Sequence, residues 1–350
     1  MLRVSDYRSI LPTTGYNAEG VWIDGVSPHL ITAELAIFAS VAHVTPIRIP
    51  GYWYANDGTD PIPTAVHNSG QQRVILYLHG GAYTILSAHP KDRLLGSLYP
   101  GLVQLTADVP HLLAVEYRLS STNSHPFPTA LLDALAGYIY LIDVMKYDPS
   151  NIIVTGESAG GNLALALTRY LVENQAGSQK DELPSLPSPP SNLLLISPWA
   201  DLSNSHAELY MSLIPPGANR GLEGSAYTNN KDVIDESFVG KWFPSYRLLA
   251  FTGPFGHGMA LHNRYMSPAS LSPFVQARFN GFPRTLIVAG GAERFLDQII
   301  TLRDRMMKDM GEPGQVMYHE GADGVHAFII YPSQPGRPAA LKAIQDWLAC

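Results

Sequence analysis

The chain has 350 residues, enough to bury a large core, and carries 30 acidic against 23 basic side chains for a net charge of −7. That balance argues against nucleic acid or an anionic membrane surface as the main partner. Its one cysteine, Cys350, cannot form an internal disulfide, so nothing points to an oxidising compartment and the expected location is cytoplasmic.

Residues 1–9 carry charge with no signal-type apolar stretch behind them, and no run approaches the ~20 apolar residues of a membrane span. Positions 30–44 are apolar but interrupted by Glu34 and His43, a pattern that predicts an amphipathic helix covering a site rather than a membrane anchor. Near-continuous apolar runs at 74–78, 112–117, 152–154, 193–196, 285–289 and 315–318 read as buried strands. Helical stretches at 130–145, 162–174 and 298–310 lie between them, and 339–349 reads as a closing helix. Alternation of this kind predicts an α/β fold with a mostly parallel sheet buried on both faces.

Two segments break the alternation. Residues 175–191 are rich in Ser, Pro and charge, the composition of a surface loop. Residues 203–263 scatter Gly and Pro among Tyr210, Tyr227, Phe238, Trp242, Phe243, Tyr246, Phe251 and Phe255, with helix potential at 231–242. The expected organisation is an N-terminal cap segment at 1–50, an α/β core at 51–202 and 264–350, and a cap insertion at 203–263. Most cap aromatics would form its own core, and a few would line a substrate pocket.

The chemistry gathers at strand ends. Gly156-Glu157-Ser158-Ala159-Gly160 joins the strand at 152–154 to the following helix, and a serine on so sharp a turn exposes its Oγ. Ser158 is the candidate nucleophile. The strand at 74–78 runs into His79-Gly80-Gly81-Ala82-Tyr83, a turn suited to aiming N–H groups at an oxyanion, and the Gly80 to Ala82 turn together with the Ala159 amide are the expected donors. After the strand at 285–289 come Glu293 and Asp297, and after the last strand come Asp323 and His326. The order serine, acid, histidine fits acyl transfer on this kind of sheet. Glu157, placed inside the elbow, is expected to be a hydrogen-bond partner rather than the acid, because the orienting carboxylate must reach His326 from its own loop.

From about Val74 onward the chain resembles the hormone-sensitive-lipase-like esterases of the α/β-hydrolase fold. The resemblance rests on His79-Gly80-Gly81-Ala82, Tyr117-Arg118-Leu119 with His125-Pro126-Phe127-Pro128, the Ser158 pentapeptide, Ser197-Pro198-Trp199-Ala200-Asp201-Leu202-Ser203, and the Glu293 and His326 loops. It implies Ser158 as nucleophile and His326 as general base and acid. It also implies Gly81, Ala82 and Ala159 as oxyanion donors, with Gly80 shaping the turn. Three departures stand out: Ala82 replaces the family's usual third glycine, residues 120–124 lengthen the approach to His125-Pro126, and glutamate occupies the usual aspartate position. Glu293 is preferred as the acid, with Asp297 the alternative and Asp323 a weaker third. Trp199 and Asp201 are read as structural.

The zinc motif H-E-x-x-H, paired cysteines and the glycine-rich phosphate loops are absent from the sequence, so neither metal nor cofactor is expected. The resulting expectation is a serine carboxylester hydrolase acting on a small or medium apolar organic ester, its oligomeric state open. An acyltransferase or lactone-forming cyclase would use the same triad in a drier site. A small-ligand receptor on the same fold is disfavoured, since the receptors resembling this family lack the base histidine that stands here as His326.

Overall fold

The computed structural model describes residues 15, 17–63, 72–92, 94–175, 186–206 and 246–349. Among them eight strands form one sheet: β1 (Ala18–Ile23), β2 (Ile49–Ala55), β3 (Val74–Leu78), β4 (His111–Val115), β5 (Ile152–Glu157), β6 (Asn192–Ile196), β7 (Arg284–Gly290) and β8 (Val316–Gly321). Their order is β1-β2-β4-β3-β5-β6-β7-β8. The β1–β2 and β2–β4 pairs are antiparallel, and every other pair is parallel.

The described helices are α1 (Ala33–Val41), α2 (Leu98–Val103), α3 (Thr129–Ile139), α4 (Ala159–Glu173), α5 (Tyr246–Thr252), α6 (Leu296–Met310) and α7 (Arg337–Ala349). Successive strand residues point to opposite faces. Leu76, Leu78, Val154, Leu193, Leu195 and Ile287 therefore pack toward α1, α3, α4 and α6, while Ile75, Tyr77, Ile153, Leu194, Ile196 and Val288 pack toward α2 and α7. With both faces covered, the strands need no polar alternation, which is why they read as unbroken apolar runs.

All six expected strands form, with small shifts at their ends. The helix expected at 30–44 is the shorter α1, preceded by a single 3₁₀ turn at Pro28–Leu30. Two strands escaped the sequence reading: Ala18–Ile23 and Ile49–Ala55, the first within residues 1–50 and the second across their end, both belong to the central sheet. Pro50 and Gly51 look like strand breakers, but Pro50 sits at the start of β2, where a missing N–H costs little. Gly51 gives room to a neighbour, since a Cβ there would stand 2.5 Å from the tip of the Ile23 side chain.

Of the expected cap insertion, 207–245 lie outside the described residues, including the helix potential at 231–242 and Tyr210, Tyr227, Phe238, Trp242 and Phe243. So do 176–185 of the expected loop, residues 1–14, and Cys350. The described part, α5 and the turns Gly253–Phe255 and His257–Leu261, meets α1 through aromatic contacts: Phe38 lies 5.8 Å from Phe255 and 5.2 Å from Phe127. The parallel strands β3 and β5 to β8 all release their C-terminal ends along one edge of the sheet, the edge at which open α/β sheets assemble sites.

Candidate active site

Ser158 stands alone between the end of β5 and the start of α4, at φ 56° and ψ −118°. An L-residue in this region is strained, and the surroundings hold it there. Its N–H donates to the Ile196 carbonyl (3.0 Å), and its carbonyl accepts from the amides of Asn162 (3.1 Å) and Trp199 (2.9 Å). The flanking glycines permit the turn. A Cβ on Gly160 would stand 1.9 Å from the Leu78 carbonyl oxygen, and one on Gly156 2.4 Å from the same atom. Ala159 begins α4, so its N–H belongs to the first-turn donors that have no partner inside the helix.

The β3 end turns sharply through Gly81 (φ +91°), Ala82 (φ 50°) and Tyr83 (φ 62°). Gly81 admits no side chain, because a Cβ would lie 2.2 Å from the Ile85 carbonyl oxygen. The Gly80 amide is already engaged, donating to Glu157 Oε1 at 2.5 Å, which leaves it shaping the turn rather than facing a ligand. The amides of Gly81 and Ala82 have no acceptor among the described residues. Tyr117 braces the turn from behind by donating to the His79 carbonyl (2.5 Å) and stacking on the His79 ring at 4.2 Å. Tyr83 Oη donates to Asn162 Oδ1 (2.6 Å), tying the turn to the elbow helix.

Glu157 links the two strand ends. One carboxylate oxygen accepts the Gly80 amide and the other the Tyr77 hydroxyl. Burial pushes its pKa up to about 7, against the lowering pull of those hydrogen bonds and of His326 nearby. Burial likewise pushes His79 down to about 4, so this ring is neutral at pH 7.

His326 and Glu293 come from the loops after β8 and β7. His326 Nδ1 is 2.7 Å from Glu293 Oε2, and the other oxygen of Glu293 accepts the Gly290 amide at 2.9 Å. Glu293 is fully buried, and burial raises its pKa while His326, the Gly290 amide and the Ser197 hydroxyl act to lower it. The two loops pack backbone to backbone. A Cβ on Gly290 would stand 2.3 Å from the Gly324 carbonyl oxygen, and one on Gly291 2.5 Å from that of Ala322. The Ala292 amide donates to the Gly324 carbonyl (2.9 Å).

The carboxylate meeting His326 is thus Glu293. Asp297 lies in the first turn of α6, where an acidic side chain complements the helix dipole, and Asp323 is exposed. Asp201 is buried and accepts from the amides and hydroxyls of Ser203 and Ser205 and from His206 Nδ1 (2.9 Å). Burial alone would raise its pKa, but these donors hold it below the usual carboxylate range. Trp199 stacks on Phe295 at 5.9 Å, and Phe295 meets the His326 ring edge to face at 4.9 Å. Phe295, Tyr77 and Asn162 escaped the sequence reading as site supports. Their positions beside the motifs were the available signal, but apolar and amide side chains next to a motif carry no chemistry by type.

Among the described residues no three His, Cys, Asp or Glu side chains gather in a metal-holding arrangement. No described helix is long and apolar enough to cross a membrane.

Comparison with known proteins bears on the fold that carries these residues. Residues 75–238 match a family model described as the alpha/beta hydrolase fold. The chain is 29% identical over 277 residues to the esterase LipU of Mycobacterium tuberculosis, covering 79% of this chain and 76% of that one. It is 28% identical over 276 residues to an acetyl-hydrolase of Streptomyces hygroscopicus, covering 78% and 73%. Among solved structures, a hyperthermophilic esterase from the archaeon Pyrobaculum calidifontis superposes with a TM-score of 0.63 at 20% identity, covering 94% of this chain and 84% of that one. A hormone-sensitive lipase from a metagenome library gives 0.57 at 23%, covering 86% and 81%. At those identities the structural likeness speaks to the fold.

Proposed function

We propose that this chain is a hormone-sensitive-lipase-like α/β-hydrolase of the carboxylesterase type and that it works through Ser158, His326 and Glu293 as a catalytic triad. The observation that carries the reading is the contact of 2.7 Å between His326 Nδ1 and the buried Glu293 carboxylate, presented on the same sheet edge as the Ser158 elbow. In this mechanism Ser158 Oγ attacks the acyl carbonyl carbon while its proton passes to His326 Nε2. The tetrahedral oxyanion is received by the Gly81, Ala82 and Ala159 amides. The alcohol then leaves with the proton from His326, and water repeats the sequence to free the acid. Glu293 orients the imidazole and stabilises its charged form without taking the proton.

The substrate class that fits is a small or medium apolar organic ester. Tyr83, next to the oxyanion turn, stacks on Phe251 at 3.9 Å, and Phe127 lies 5.7 Å from Phe251, so the ground beside the turn is aromatic. The acetyl-hydrolase relative points the same way.

The test is turnover of p-nitrophenyl esters from acetyl to decanoyl by wild type, Ser158→Ala and Glu293→Ala. Wild type should prefer the short members, and Ser158→Ala should lose on the order of 10⁶ in kcat. Retained turnover in Ser158→Ala would sink the mechanism.

A further inference from the structure

Ser197, at the end of β6, belongs to none of the roles above. It lies between β5 and β7 in the sheet, one strand from the elbow and one from the acid loop, and its side chain is fully buried. Its backbone is at φ 44°, a left-handed conformation disfavoured for any residue with a Cβ. Two contacts hold it there. Its N–H donates to the Val288 carbonyl at 2.7 Å, and its Oγ accepts the Ala327 N–H at 3.0 Å. A hydroxyl that accepts one bond still has its own proton to give, and the Ser197 hydroxyl is among the groups that act to lower the Glu293 pKa.

We propose that Ser197 is a positioning residue of the triad, its buried hydroxyl accepting the amide that follows His326 and so fixing the loop that presents the imidazole to Glu293. Ala327, whose amide it holds, is itself at φ 51° and directly follows His326. The backbone that presents the imidazole is therefore strained at the residue that Ser197 anchors. The bonds on Glu293 divide the work. His326 and the Gly290 amide hold one oxygen each, and the Ser197 hydroxyl acts with them to lower the Glu293 pKa against burial. The charged or titratable groups facing this cluster are Glu293 and His326 themselves, Glu157, which interacts with His326 across the elbow, and Tyr318 of β8, which interacts with Glu293.

This inference rests on the triad reading, and the experiment separates the two. Ser197→Ala and Ser197→Gly are assayed beside wild type and Ser158→Ala on p-nitrophenyl acetate across pH 5–9, with thermal melts recorded. Glycine at this position relieves the positive φ, so that variant removes the hydroxyl without adding strain. The expected result is a roughly tenfold fall in kcat with KM nearly unchanged in both variants. Because the lost hydroxyl is one that lowers the Glu293 pKa, the acidic limb of the kcat/KM profile should also move upward. Wild-type kcat and an unmoved limb in folded variants, with Ser158→Ala inactive, would overturn the role of Ser197 and leave the triad standing. Turnover by Ser158→Ala would remove both. Failure of both Ser197 variants to fold would make Ser197 a support of the sheet and equally overturn the proposal.

Discussion

Glu157→Gln should make the protein more stable at alkaline pH while making it a poorer catalyst. Glu157 is fully buried, and burial moves its pKa from the ordinary 4.5 to about 7. The folded state holds this proton more tightly than the unfolded chain does. The contribution is therefore complete below pH 4.5 and is lost as pH climbs through 7. At 1.36 kcal/mol per pH unit, the interval corresponds to about 3 kcal/mol lost to ionising a carboxyl inside the core. A glutamine has the shape of the protonated acid and does not titrate. The stability difference between variant and wild type should thus start near zero at pH 5 and favour the variant by about 3 kcal/mol at pH 8.

The comparison has to be made as that difference. Glu116, also raised to about 7 by burial, adds a slope of the same sign, and His79, lowered to about 4, adds one of the opposite sign. Neither changes in the variant. Urea midpoints at pH 5, 6, 7 and 8 with a constant m-value give the numbers directly. Turnover should move the other way. The carboxylate gives Gly80 a charge-assisted hydrogen bond that a neutral amide cannot match, and a looser oxyanion turn should lower kcat by about tenfold. Stability curves that run parallel from pH 5 to 8 would refute the assignment of this proton to Glu157.

Gly160→Ala should destabilise by several kcal/mol or abolish folding, since its methyl would meet both the Leu78 and the His79 carbonyls and neither backbone can withdraw; a thermal melt decides it. Asp297→Asn should keep wild-type kcat while Glu293→Gln loses at least 10²-fold, and equal losses in the two would contradict the pairing of His326 with Glu293. Phe295→Ala should destabilise by about 3–5 kcal/mol by denaturant titration, because the ring fills the space between Trp199 and His326.

Much of this molecule is written in local pattern. Strands β3 to β7 are legible because burial on both faces makes each a largely apolar run, whereas the half-exposed edge strand β8 shows only a short one, and Ser158 is legible because its strand, turn and helix are contiguous. β2 is not, because Pro50 and Gly51 carry the local marks of a turn and only the approach of Ile23 explains the glycine. The choice between Glu293 and Asp297 was open for a related reason. Four residues separate them, and what decides is the packing of the β7 loop on the β8 loop through Gly290 and Gly291, a contact between segments some thirty residues apart. Glu157 read as a polar neighbour of the elbow, but its tie to Gly80 spans 77 residues and no spacing rule reaches that far.

The site draws on β5 for the elbow, β6 for Ser197, β7 for Glu293 and β8 for His326, four neighbouring strands in sheet order as well as chain order. β8 is the outermost of them, paired on one side only, with β7. During refolding the elbow and the oxyanion turn can assemble around β3 and β5 while β8 is still undocked, yet such a species has no base in place. Return of ester cleavage after dilution from denaturant consequently times the arrival of the sheet's last edge, and it should lag behind any optical signal that reports the formation of the centre.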